Sequence, residues 1–128
     1  MRPSILFILN GLIAVGYAVG FFVAAEPLLE VYGIMPNDEG VFMARWFGVG
    51  LLANGLTTLL ARNAAESEAG RAIAAALVVS YGFGVVLALW GTLTGQFNAL
   101  GWIAVALNLL LGLGFWSFRF RKPRSTRA

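Results

Sequence analysis

Four apolar stretches, at residues 4–25, 42–61, 72–93 and 99–118, limit what this chain can fold into. None contains an acidic residue, and Arg45 is the only base inside one. At 1.5 Å per residue, roughly 20–22 residues of helix span about 30–33 Å, the thickness of a bilayer's hydrocarbon core. Backbone in lipid must satisfy its own polar groups, so the stretches read as helices and not as open strands. Composition points the same way. The chain is 59% hydrophobic and 12% charged, with a mean hydropathy of +0.81. A soluble domain carries about 25% charged residues. Half that charge cannot cover a 13.7 kDa globule. The expected fold is all-α: an integral membrane four-helix bundle, antiparallel up-down-up-down, with both termini on the same side. Residues 26–41 form an outer loop and residues 119–128 a basic tail.

What the chain lacks narrows its chemistry. It has no His and no Cys. The usual general base, the commonest metal ligand, thiolate nucleophiles, thiolate metal sites and disulfides are therefore gone. Six carboxylates, three Tyr and a few hydroxyl and amide side chains remain. No cofactor, metal or catalytic group is expected, and the chain reads as a non-enzyme.

The bases orient the spans. With the N-terminus inside, the inner side carries Arg2, Arg62, Arg71, Arg119, Arg121, Lys122, Arg124 and Arg127, and the outer side only Arg45. That asymmetry places both termini in the cytoplasm and the chain in a bacterial inner membrane. Trp46, Trp90 and Trp102 fall at the outer boundary, and Trp116, Phe118 and Phe120 at the inner one. The basic pI of about 10.0 reads as contact with anionic lipid headgroups, through Arg119, Arg121, Lys122, Arg124 and Arg127, and not with nucleic acid. Val23-Ala24-Ala25 resembles a signal-peptidase site, but the apolar run before it is long for such a peptide. Asn37 and Asp38 are candidate N-caps for the second helix.

Small residues recur at helical spacing. Gly16 and Gly20 make a GxxxG. Ala44, Gly48, Gly55 and Thr58 share a face with Leu51, and Ala72, Ala76, Ser80, Gly84 and Ala88 form a row, as do Ala104, Asn108 and Gly112. Such rows let helices approach closely in lipid. Packing within the bundle explains them; a docking face for a second copy or another membrane protein is the alternative. An offset of 64 aligns Val15, Tyr17, Gly20 and Ala24 with Val79, Tyr81, Gly84 and Ala88, which fits either a duplicated hairpin or chance.

Two groups of residues are candidate sites. Asn10, Tyr17, Asn54, Ser80, Tyr81 and Asn108 are polar within apolar spans. Asn10, Asn54, Ser80 and Asn108 lie about 9–15 Å deep at 1.5 Å per residue, as one loose layer. Hydrogen bonds between helices would satisfy them; a pocket for a headgroup, a quinone-like ring or a solute is the functional alternative. The outer loop carries Glu26, Glu30, Asp38 and Glu39 and no base, so Arg45 is their natural counter-ion. Mixed with Leu28, Leu29, Val31, Tyr32, Ile34 and Met35, these acids read as a short amphipathic turn at the interface.

Pro27, Tyr32-Gly33, Ala44-Arg45 with Gly48, and Gly101-Trp102 make the chain resemble a group of small uncharacterised bacterial four-helix integral membrane proteins, over most of its length. The doxX-like proteins are a looser comparison. The resemblance implies a four-helix fold and supplies no catalytic residue. Small multidrug transporters are also four-helix chains, but their coupling carboxylate lies inside the first helix. Here the first span has none, which argues against proton-coupled export.

The leading functional expectation is an accessory or assembly subunit of a membrane complex. The alternative is a carrier of a small apolar or amphipathic molecule using the polar layer. A membrane enzyme using the outer carboxylates comes third.

Overall fold

The structure, a computed structural model, describes residues 2–120. The described chain is all-helical. Its helices are α1 (Pro3–Val23), α2 (Ala25–Val31), α3 (Asp38–Ala61), α4 (Glu68–Leu93) and α5 (Gly101–Phe120), with a 3-10 turn at Arg62–Ala64. Among the described residues, three helices are long and apolar enough to cross a membrane: α1, α4 and α5. Arg45, Asn54 and two threonines lower the hydropathy of α3.

Several boundaries differ from the expected ones. The first span was expected to reach residue 25, with Pro27 in a loop. Instead the backbone breaks at Ala24 (φ −133°, ψ 46°) and a short fifth helix, α2, follows. Pro27 sits in its first turn, where a missing N–H costs nothing. Leu28 folds back over Gly20; a Cβ there would lie 2.9 Å from Leu28 Cδ1. The N-terminal half of the GxxxG does not pack at all: Gly16 has nothing within 4 Å of its Cβ position. α3 starts at Asp38 and not at residue 42, because Asn37 caps it: Asn37 Oδ1 accepts from the Gly40 N–H at 2.7 Å. α4 starts at Glu68 under a Ser67 cap, and α5 starts at Gly101.

Each long helix buries one narrow seam. On α1 it runs Phe7, Gly11, Ala14, Ala18, Phe21; on α3 it runs Val41, Ala44, Gly48, Gly55, Thr58. The steps of three, four and seven are those of a heptad seam. Small residues on the seams bring backbones close. A Cβ on Gly55 would lie 2.7 Å from Val15 Cγ2 and 2.9 Å from the Gly11 carbonyl oxygen, and one on Gly48 3.2 Å from the Ala18 carbonyl oxygen. α1 and α3 thus form one hairpin. α4 and α5 form a second, with Gly84 against Asn108 and Tyr81 against Gly112. Large apolar side chains face outward, among them Phe83, Val86, Leu110 and Trp116. Small residues inside and large apolar ones outside suit helices surrounded by lipid, where close approach, not aversion to water, drives association.

The two hairpins meet unevenly. At the end bearing Arg2, the 62–67 connection and Arg119, here called the base, Leu6, Phe7, Ala65, Ala74, Leu77, Phe115 and Phe118 form one cluster drawn from both hairpins. Phe7 packs against Phe115 and Phe118 at ring distances of 5.7 and 6.3 Å. At the opposite loop end, Phe21, Ala25, Val41 and Ala44 cluster within the first hairpin alone. Along that half the hairpins stand apart, and α3 and α4 make no extended contact.

Candidate functional site

The gap between the hairpins is a cavity of about 480 Å³. That falls within the roughly 300–1,000 Å³ range of small-molecule sites. Its floor is a hydrogen-bonded group at the junction with the base. The amide nitrogen of Asn10, fully buried, donates to Asn54 Oδ1 at 2.8 Å and to Thr58 Oγ1 at 3.1 Å. The Tyr81 hydroxyl donates to Asn10 Oδ1. Both amide hydrogens of Asn10 are used, as a buried amide requires. Asn10, Asn54 and Thr58 belong to the first hairpin and Tyr81 to the second, so this group ties the hairpins together beneath the cavity.

The cavity uses the expected polar residues unequally. Asn54, Ser80, Tyr81, Asn108 and Tyr17 all line it. Only Asn10, Asn54 and Tyr81 bond to one another. Asn108 Nδ2 donates to the Ala104 carbonyl of its own helix at 2.8 Å, while its Oδ1 fills the space left by Gly84. Ser80 makes no side-chain hydrogen bond among the described residues. It lies beside the seam occupied by Leu77 and Tyr81. The Asn54 side chain also hydrogen-bonds Tyr81. No buried side-chain nitrogen or oxygen among the described residues is left unpaired.

Apolar groups make up the walls and an aromatic collar the loop end. Tyr17 stacks on Phe21, Phe21 meets Phe47 edge-on at 5.2 Å, and Tyr32 packs on Phe97 at 5.7 Å. The Tyr17 and Tyr32 hydroxyls lie 3.4 Å apart. Burial, aided by the hydrogen bond and charge interaction with Tyr17, pushes the Tyr32 phenol up to about 12. Among the described residues, no charged side chain lines the cavity.

A latch joins the hairpins at the collar. Asn98 Nδ2 donates to the Val31 carbonyl at 2.8 Å, and the Asn98 N–H donates to the Tyr32 carbonyl at 2.9 Å. Gly33 makes this fit possible. Its φ is +81°, and a Cβ would lie 3.1 Å from that of Asn98. Phe97, Phe47 and Asn98 were not singled out in the sequence. Tyr32-Gly33 was noted as a motif, without its role.

The outer charges do not assemble. Arg45, Glu26, Glu30, Asp38 and Glu39 are all exposed, and no ion pair joins Arg45 to any of them among the described residues. Arg45 follows the buried Ala44 and turns outward. No group of acids among the described residues is placed to hold a metal ion. At the base, Arg71 lies over the Phe118 ring and donates to the Arg119 carbonyl at 2.8 Å, while the Arg119 guanidinium lies over Phe120. Arg121, Lys122, Arg124 and Arg127 lie outside the described residues.

No family model, curated protein or solved structure matches the chain.

Proposed function

We propose that this chain is a membrane-embedded binding protein or carrier for a small apolar or amphipathic molecule. The supporting observation is the cavity of about 480 Å³ between the hairpins, which reaches down to Asn54, Tyr81 and Asn108. A bundle built only as a scaffold gains nothing from such a void, because unfilled space forfeits packing contacts. The cavity puts this reading ahead of the accessory subunit. Of the rows that would serve a docking partner, Ala44, Gly48, Gly55 and Thr58 face α1 and Ala88 is buried, while Gly16, Ala72 and Ala76 stay exposed. The enzyme reading needs Arg45 beside an outer carboxylate, and those groups stand apart.

In this reading α3 is a fourth span, since it packs along α1 from Gly48 to Leu59. The chain then crosses the inner membrane four times, up-down-up-down, with both termini in the cytoplasm. Arg45 near one end of a span reaches the interface by extending its side chain. The basic residues around the base contact anionic headgroups. The gap between α3 and α4 gives a ligand access from the bilayer.

Photolabelling tests the reading. The full chain in lipid nanodiscs is exposed to adamantyl diazirine, with and without excess unlabelled adamantane. Saturable, competable labelling of cavity residues is expected, and Ala104→Trp, which fills the cavity, should abolish it. Unsaturable labelling spread over the outward faces, unchanged by Ala104→Trp, would overturn it.

A further inference from the structure

We infer that the cavity's ligand is uncharged and carries one oxygen-bearing head, a hydroxyl or carbonyl, held deep at Ser80, with its apolar body toward the aromatic collar. This inference rests on the binding function proposed above and assigns the ligand's class and direction.

The class follows from the lining. No Asp, Glu, Lys or Arg among the described residues faces the cavity. A charged head placed there would have no counter-ion in a poorly solvated space, where an unpaired charge is costly. A purely hydrocarbon ligand would leave the free polar groups of the lining facing apolar atoms. One polar, neutral group matches what is present.

The direction follows from which groups are already satisfied. At the loop end the Tyr17 and Tyr32 hydroxyls share one hydrogen bond, which leaves a single phenol proton over, and the Asn98 side chain is committed to the Val31 carbonyl and the Leu100 N–H. At the deep end Ser80 Oγ donates to nothing among the described residues, and Asn108 Oδ1 accepts from no donor among them, so a donor and an acceptor stand together there. An incoming oxygen accepts from Ser80. A hydroxyl also donates to Asn108 Oδ1. Rings and aliphatic side chains occupy the space between the two ends, so the body lies along the cavity's axis.

The test compares heads on one tail. Dodecanol, dodecanoate and dodecyltrimethylammonium are each made with a diazirine either beside the head or at the last tail carbon. Each is applied to the full chain in nanodiscs at about pH 9, where the acid is ionised. Dodecanol is expected to label saturably, about tenfold more tightly than either ion. Its head-side diazirine should insert near Asn54, Ser80 or Asn108, and its tail-side diazirine near Tyr32 or Phe97. Ser80→Ala removes a hydroxyl that bonds to nothing within the described chain, so the fold should survive. It should weaken dodecanol about threefold to tenfold, one hydrogen bond's worth, and more than it weakens adamantane. Saturable labelling that ignores the head, or that places the head at the collar, overturns this inference and leaves the binding function standing. Absence of saturable labelling by every probe, adamantane included, overturns both.

Discussion

The base and the loop end of this molecule are built from the same seams and reach opposite results. At the base, Phe7 and Phe115 are fully buried and fill the space between hairpins. Halfway along, Asn10 binds residues of its own hairpin and Tyr81 of the other. Beyond that point the aromatic rings stay with their own hairpin or line the edge of a void, and among the described residues Asn98 and Phe97 reach across. Small seam residues bring α1 to α3 and α4 to α5 at both ends; a filler between the pairs exists only at the base. Close helix packing and an internal cavity therefore coexist without conflict.

If that contrast is right, substitutions should divide by end. Phe7→Ala should be the most damaging, at about 3 kcal/mol or more by the usual cost of deleting a buried ring. Phe97→Ala, against the cavity, should cost well under half as much. Equal losses in denaturant unfolding of the reconstituted chain would erase the distinction. Next comes the α1–α3 seam. Gly55→Leu should cost about 1–3 kcal/mol through overpacking. Gly50→Ala, with nothing within 4 Å of the new Cβ, should be neutral or gain a few tenths of a kcal/mol in helix propensity. A Gly55→Leu chain as stable as the parent would remove the seam from the account. Asn10→Leu should cost about 1–2 kcal/mol, the range of hydrogen bonds between membrane helices. It should also speed hydrogen exchange at α4 more than at α2. Asn98→Ala should show the reverse pattern, with faster exchange in α2 and the 94–100 turn and an unchanged base.

The smallest effect is on pH. The Tyr32 phenol titrates at about 12 in the folded chain against an ordinary 10. The folded state thus favours the protonated phenol. Its stabilising contribution is complete below pH 10 and is lost as pH rises from 10 through about 12. Tyr32→Phe should flatten that alkaline decline without moving the curve near neutrality. A decline equally steep in the variant would mean that another group carries it.

How much of this could be read from the sequence depends on the range of the interaction. The apolar runs are local signals, and so is the Asn37 cap, which lies three residues from the N–H it binds. Asn10 and Asn54 were placed at one depth by counting from the base, and they do meet. Counting gives depth but not direction around the helix. Ser80 and Asn108 share the layer but face the cavity and Gly84 instead. Charge sign drew Arg45 to the outer acids on paper; its step off the seam turns it away. α2 was hidden because Pro27 normally argues for a loop, and its tolerance in a first turn shows only once the break at Ala24 is known. A pocket at the polar layer is one reading of Asn10, Asn54 and Asn108, but its extent comes from contacts that the hairpins fail to make, and no residue signals a missing contact.

Xenon-pressurised crystallography of the chain grown in a lipid mesophase tests the central claim most directly, because apolar cavities take up xenon. The account predicts xenon between the hairpins, bounded by Asn54 and Tyr81 below and Phe97 above, and none among Phe7, Ala74 and Phe115. α3 packed closely against α4 along the loop half, with no xenon between them, would contradict it.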